Sequence, residues 1–151
     1  MKTISRLALV ICVLSLTACN LFKKNESPKD NDETVTSTGI TDRKWKLVEL
    51  DGKPVADSIN GKEPFIIFHK KDNRYSASGG CNGLGGEFIL EEYQRIKFNQ
   101  GMSTMMACEN MDIENGLKYV LASVDNYSLH GDDLSLNKAR MMPLARFKAV
   151  K

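Results

Sequence analysis

One run of helical spacing, in a chain otherwise cut at short intervals by turn residues, constrains this sequence most. Ile113, Leu117, Val120, Leu121 and Val124 recur at i, i+4, i+7, i+8 and i+11, the signature of one apolar helix face. Asn110 or Asp112 offers an N-cap before it and Asp125-Asn126 a stop after it. Elsewhere the pattern is that of strands. Trp45 and Leu47 alternate with Lys44 and Lys46, and Asp51-Gly52 supplies the residues of a tight hairpin turn. The run 65–68 is apolar and too short for a typical helix. Further strands are expected over 75–78, 87–90, 95–99, 127–129, 134–136 and 144–150. Strands at this cadence build a barrel or sandwich, and the helical stripe must then cover its open mouth or face. The expected class is α+β.

The N-terminus bounds where such a fold would work. Lys2 and Arg6 precede an apolar run from Leu7 to Leu16, which is too short to span a bilayer but suits a secretory signal. The run closes on Leu16-Thr17-Ala18-Cys19, small residues directly before a cysteine, as lipoprotein processing requires. Residues 1–18 are therefore expected to be a signal peptide and Cys19 the acylated first residue of the mature chain. Two or three acyl chains anchor stably, whereas one alone binds marginally. Asn20 in second place permits outer-membrane sorting, so the expected address is the bacterial cell envelope, through a lipid anchor. Residues 19–39 are polar and poor in large apolar side chains, and they read as a flexible tether. Residues 40–151 then form one domain of common size.

Charge excludes some partners. Loss of residues 1–18 removes Lys2 and Arg6 from 21 basic residues and nothing from 19 acidic ones, which leaves the mature chain balanced. Lys23-Lys24 and Lys70-Lys71 are isolated pairs rather than a basic stripe, so nucleic acid is not an expected partner.

The candidates for chemistry are weak. The glycine-rich stretch 78–86 lacks the Lys-Ser/Thr of a P-loop and does not fit G-x-G-x-x-G, so its glycines are read as serving a sharp turn, a bulge or close backbone approach. His69 and His130 have no metal-ligand spacing around them. Glu91-Glu92 and Asp132-Asp133 are adjacent acids, not an argued facing pair. No catalytic residue, metal site or cofactor is assigned. Six methionines fall in the domain (Met102, Met105, Met106, Met111, Met141, Met142); they are read as filling core gaps or lining a pocket, with soft-metal ligation as the alternative.

Taken in order, Trp45-Lys46-Leu47, Gly79-Gly80-Cys81-Asn82 and Thr104-Met105-Met106-Ala107-Cys108 resemble the META domain family, which includes HslJ-like bacterial proteins. Glu114, Leu117 and Leu121, then Gly131, Leu134, Leu136 and the run from Leu144 to Phe147, continue the likeness across nearly the whole globular part. The resemblance carries over Gly80, Cys81, Asn82, Thr104, Met106, Ala107 and Cys108 as structural positions. One departure is Gly83-Leu84-Gly85-Gly86, which is richer in glycine than the family pattern. The resemblance implies a small, incompletely closed antiparallel barrel with one main helix packed on it, similar to pilot lipoproteins of secretion systems. It also implies pairing of Cys81 with Cys108. On residue chemistry alone these two could equally be buried free thiols or half of a metal site, although an even pair in an exported domain favours a disulfide. Family members are linked to heat shock, novobiocin resistance, motility and virulence, and no catalytic residues are established among them.

The sequence thus leads to a non-enzymatic envelope lipoprotein with a META-like domain. It would act as a binding or interaction module linked to envelope stress, antibiotic resistance or secretion. Its partners would be the membrane through the anchor and a small apolar ligand or envelope protein, held in the apolar space between barrel and helix. The alternative is a copper-handling protein using Met105, Met106 and Met111. Lys118 is expected to be an ordinary surface residue.

Overall fold

A computed structural model describes residues 39–151. The expected signal peptide (1–18), Cys19 and almost all of the tether (19–39) lie outside the described residues. Ten strands and one helix follow in order: β1 (Lys44–Leu50), β2 (Lys53–Pro54), β3 (Phe65–His69), β4 (Arg74–Ser78), β5 (Gly83–Glu91), β6 (Arg95–Phe98), β7 (Met102–Ser103), α1 (Asp112–Ser123), β8 (Asn126–His130), β9 (Asp133–Asn137) and β10 (Ala145–Ala149).

The strands form where alternation dictates. In β1, Trp45 and Leu47 point inward and are fully buried, while Lys44 and Lys46 keep to the outer face. Asp51 and Gly52 both take positive φ (49° and 72°), so the first hairpin turns as its residue pair requires. Eight strands close a ring, β1–β3–β4–β5–β6–β8–β9–β10 and back to β1, all antiparallel.

That closure corrects the expectation of an incompletely closed barrel. β10 pairs with β1 from Trp45↔Ala149 to Leu50↔Ala145 across a bulge between Leu47 and Glu49, so the first and last strands seal each other. The weakest joint is β6–β8, a single residue pair, Arg95↔Asn126. Two flanking backbone bonds support it: Tyr127 N–H to Gln94 O at 2.9 Å and Ile96 N–H to Asp125 O at 3.2 Å.

Two short strands were not visible in the sequence pattern, β2 and β7. The latter pairs with Leu84 and Gly85 at the start of β5, whereas β6 pairs with Phe88 to Glu91 further along the same strand. The glycine-rich departure at 83–86 is therefore strand, not loop.

The helix spans the expected residues. Its N-cap position is Met111, which makes no side-chain cap bond. Asn110 serves from one residue upstream, its Oδ1 accepting the Asp112 N–H at 3.0 Å. Leu117, Val120 and Leu121 bury their side chains in one core with Trp45, Leu47, Ile66, Phe68, Ile96, Leu134, Leu136 and Phe147. Among the described residues, no helix is long and apolar enough to cross a membrane.

Candidate functional site

The residues carried over from the family pattern meet at one place, where the end of β4, the start of β5, the coil 104–111 and the first turn of α1 come together. Each does a separate job there. Gly79 lets the strand end touch the helix: a β-carbon on it would stand 2.3 Å from Glu114 Cα. Gly80 has φ +106°, and a β-carbon there would meet Ile59 Cβ at 2.5 Å. Cys81 is bonded to Cys108, with the two Cα atoms 6.1 Å apart. This closes the open reading of the two thiols in favour of a disulfide.

Asn82 is the hub. Its side-chain amide donates to Met106 O at 3.0 Å and to Glu114 Oε1 at 2.9 Å. Its Oδ1 accepts the Thr104 hydroxyl and the Met106 N–H, both at 2.8 Å. All four bonding positions of the amide are used, so a residue only 1% exposed leaves nothing unsatisfied. Thr104 also binds β5 directly, its N–H donating to Gly83 O at 3.1 Å.

Glu114 is the buried charge of this cluster, 1% exposed. Its carboxylate accepts the Asn82 N–H at 2.5 Å and the Lys118 ammonium at 2.8 Å. Burial pushes its pKa up, but the hydrogen bonds from Lys118 and Asn82 together outweigh burial and hold the carboxyl below its ordinary range. Lys118 is thus no ordinary surface residue: it neutralises a buried carboxylate.

The side chains of Asn82 and Thr104 spend their hydrogen bonds on holding coil to barrel and helix. The chain matches the model of the META domain over residues 38–151. It belongs to the META domain family. A comparison with curated proteins finds no match. Among solved structures, one NMR structure is 24% identical over 70% of this chain and 87% of its own, with a TM-score of 0.56. A second, from Burkholderia xenovorans, is 20% identical over 74% of this chain and 83% of its own, with a TM-score of 0.58. At these identities the likeness speaks for the fold of the META domain alone.

The remaining candidates scatter over the META domain. His69 Nε2 lies 3.0 Å from Ser76 Oγ on the face of the β3–β4 pair, and His130 is exposed at the end of β8. Glu91 pairs with Lys97, Asp132 with Arg43 and Asp133 with Lys148, each on the surface. Among the described residues, no group of three His, Cys, Asp or Glu side chains is placed to hold a metal ion.

The methionines do not fill the core, and of the two expected roles they take the other, with Met102, Met105, Met106 and Met111 lining surface clefts. Met105 is 98% exposed and Met106 51%, and Met102, Met141 and Met142 also face solvent. Aromatic and branched residues fill the barrel without them. Met105, Met106 and Met111 share one shallow cleft beside Cys108 and Lys118.

A second, deeper cleft of ≈ 410 Å³ opens between α1 and the β5–β7 corner, with Leu121 and Ala122 on one side and Leu84, Phe98 and Met102 on the other. Tyr75 lies at its inner wall, its ring against Gly86, the residue opposite it in the β4–β5 register. A β-carbon on Gly86 would stand 2.8 Å from the Tyr75 ring and one on Gly101 2.4 Å from its hydroxyl, so both glycines make room for this side chain. Burial pushes the Tyr75 phenol pKa up and keeps it neutral.

Proposed function

We propose that this protein is a lipid-anchored, non-enzymatic interaction module of the bacterial envelope, and that the coil 104–108 is its contact surface. The observation that carries this reading is the contrast between the coil's two sides. Its backbone is fastened by Asn82, Thr104 and the Cys81–Cys108 bond, while Met105 and Met106 face solvent. A preordered backbone loses little entropy on binding, and flexible thioethers adapt to a partner's apolar surface. Methionine is enriched at protein interfaces, which favours an envelope protein as the partner. The anchor reading rests on the sequence at 1–19, and the link to envelope stress, antibiotic resistance or secretion rests on the sequence's resemblance to HslJ-like proteins alone.

The shared cleft of Met105, Met106 and Met111 favours one second reading, Cu(I) binding by thioethers. A photo-crosslinking side chain at position 105, in cells, separates the two. The interaction reading expects discrete protein adducts from position 105 and none from exposed Lys70. The copper reading expects no adduct, and stoichiometric uptake of Cu(I) supplied with ascorbate. Replacement of Cys19 by Ser should release the protein from membrane fractions; equal partition of variant and parent would overturn the anchor.

A further inference from the structure

The barrel end opposite the Asn82 cluster carries apolar surface that the fold does not cover. Glu87 of β5 lies opposite Arg74, the first residue of β4, so the stretch from Phe88 to Glu91 runs on past the β3–β4 turn. Ile89 and Leu90 are exposed there, and Tyr93, at the tip of the β5–β6 hairpin, is 91% exposed. Lys70 and Lys71 stand in the β3–β4 turn, both exposed and in no ion pair among the described residues. Lys70 shares a cleft with Ile89, Leu90 and Thr41. Thr41 bridges to Phe68 at the end of β3, so the chain that leads from Cys19 through residues 20–39 joins the domain beside this cleft.

We infer that this end of the barrel docks on the bilayer surface, with Ile89, Leu90 and Tyr93 among the lipid headgroups and Lys70 and Lys71 on lipid phosphates. The inference rests on the reading of Cys19 as a lipid anchor, and on the end of the domain that the anchored chain enters. The residue types suit such an interface. A tyrosine lies with its ring at the apolar boundary and its hydroxyl in water, and a lysine stem covers apolar surface while its ammonium meets phosphate. Of the acids nearby, Asp42 and Asp72 are held on backbone N–H groups of Lys70 and Arg74, and Glu91 is paired with Lys97. Glu92, beside Tyr93, opposes an anionic surface. Three apolar side chains fall short of the roughly 800 Å² per partner that a stable dimer buries. A domain already anchored needs only a weak contact, because the anchor keeps its local concentration at the membrane high. Docking here leaves Met105 and Met106, at the other end of the barrel, in the aqueous phase where a partner protein reaches them.

The test uses the full chain, purified from cells and reconstituted with vesicles of phosphatidylethanolamine and phosphatidylglycerol. Gln94→Cys places an environment-sensitive fluorophore beside Tyr93, and Asn115→Cys places the same fluorophore on the exposed face of α1; Cys81 and Cys108 are bonded to each other and do not take it. The emission from position 94 should move to the blue and be quenched by nitroxides carried on the lipid, and that from position 115 should do neither. With the label at 94, the pair Lys70→Glu, Lys71→Glu should lower the ratio of quenched to unquenched label by about tenfold or more, at about fivefold for each lysine near an anionic surface. Tyr93→Ser should lower it too, and Glu92→Lys should raise it. All four side chains are exposed, so melting temperatures should hold. Chains that fail to float with the vesicles would overturn the anchor and this docking with it. Anchored chains whose label at 94 stays in water, or moves to the blue without nitroxide quenching as in self-association, would overturn the docking alone.

Discussion

Glu114 and Asn82 stand 32 residues apart in the chain, and the carboxylate of the first accepts both the backbone N–H and the side-chain amide of the second. This contact joins the start of the helix to the start of β5, and through Asn82 to the coil. It also puts a charge in the core, which only its partners make tolerable.

Acid should therefore loosen the domain through Glu114. A carboxyl whose folded pKa lies below its ordinary value of 4.5 stabilises the fold fully above that value, and the contribution is lost as pH falls through the folded pKa. In denaturant titrations, Glu114→Gln should be less stable than the parent at pH 7, and the gap should narrow on acidification. Parallel curves for the two proteins would show that the carboxylate's charge is not what the fold uses.

Two glycines a few residues apart should respond oppositely to alanine. At Gly79 the new β-carbon meets helix backbone, so Gly79→Ala should cost at least about 2 kcal/mol, in the range of overpacked cores. At Gly83 nothing lies within 4 Å, and Gly83→Ala should be neutral or stabilise by up to about 1 kcal/mol. Thermal melts of the two variants read the difference directly.

The disulfide closes a loop of sequence separation 27. On the chain-entropy model its removal should cost about 3 to 4 kcal/mol. The Cys81→Ser, Cys108→Ser double variant should show that loss in denaturant midpoints. Alkylation of the unreduced parent should leave both thiols unlabelled; a dominant population labelled at Cys81 and Cys108 would contradict the bond.

Much of the fold was legible because its signals are local. Period-two alternation placed β1, the short apolar run 65–68 placed β3 with β4 returning from the turn after it, and the i, i+4, i+7 stripe placed α1 over Asp112–Ser123. Barrel closure was not legible, since the β1–β10 and β6–β8 pairings depend on long-range register that no local pattern carries. The cluster was half legible. Gly80 and the cysteines announce a turn and a crosslink, but Glu114 looks like any helix-surface acid until Gly79 brings Asn82 against it. The sequence left the methionines between core and pocket because thioethers pack equally well inside or outside, and here the aromatic residues had already filled the inside. Tyr75 gave no signal at all: its importance comes from Gly86 and Gly101, which clear the space around its ring.

The central claim is that the chemistry of this cluster serves to present Met105 and Met106 to a partner, and the double variant Met105→Ser, Met106→Ser tests it most directly. Both side chains face solvent, so the melting temperature should stay within the shift expected of surface changes, about 0.5 kcal/mol each. Crosslinking to an envelope protein from a neighbouring probe at Ala107 should disappear. Adducts that persist in the variant, or a collapse of its stability, would contradict the account.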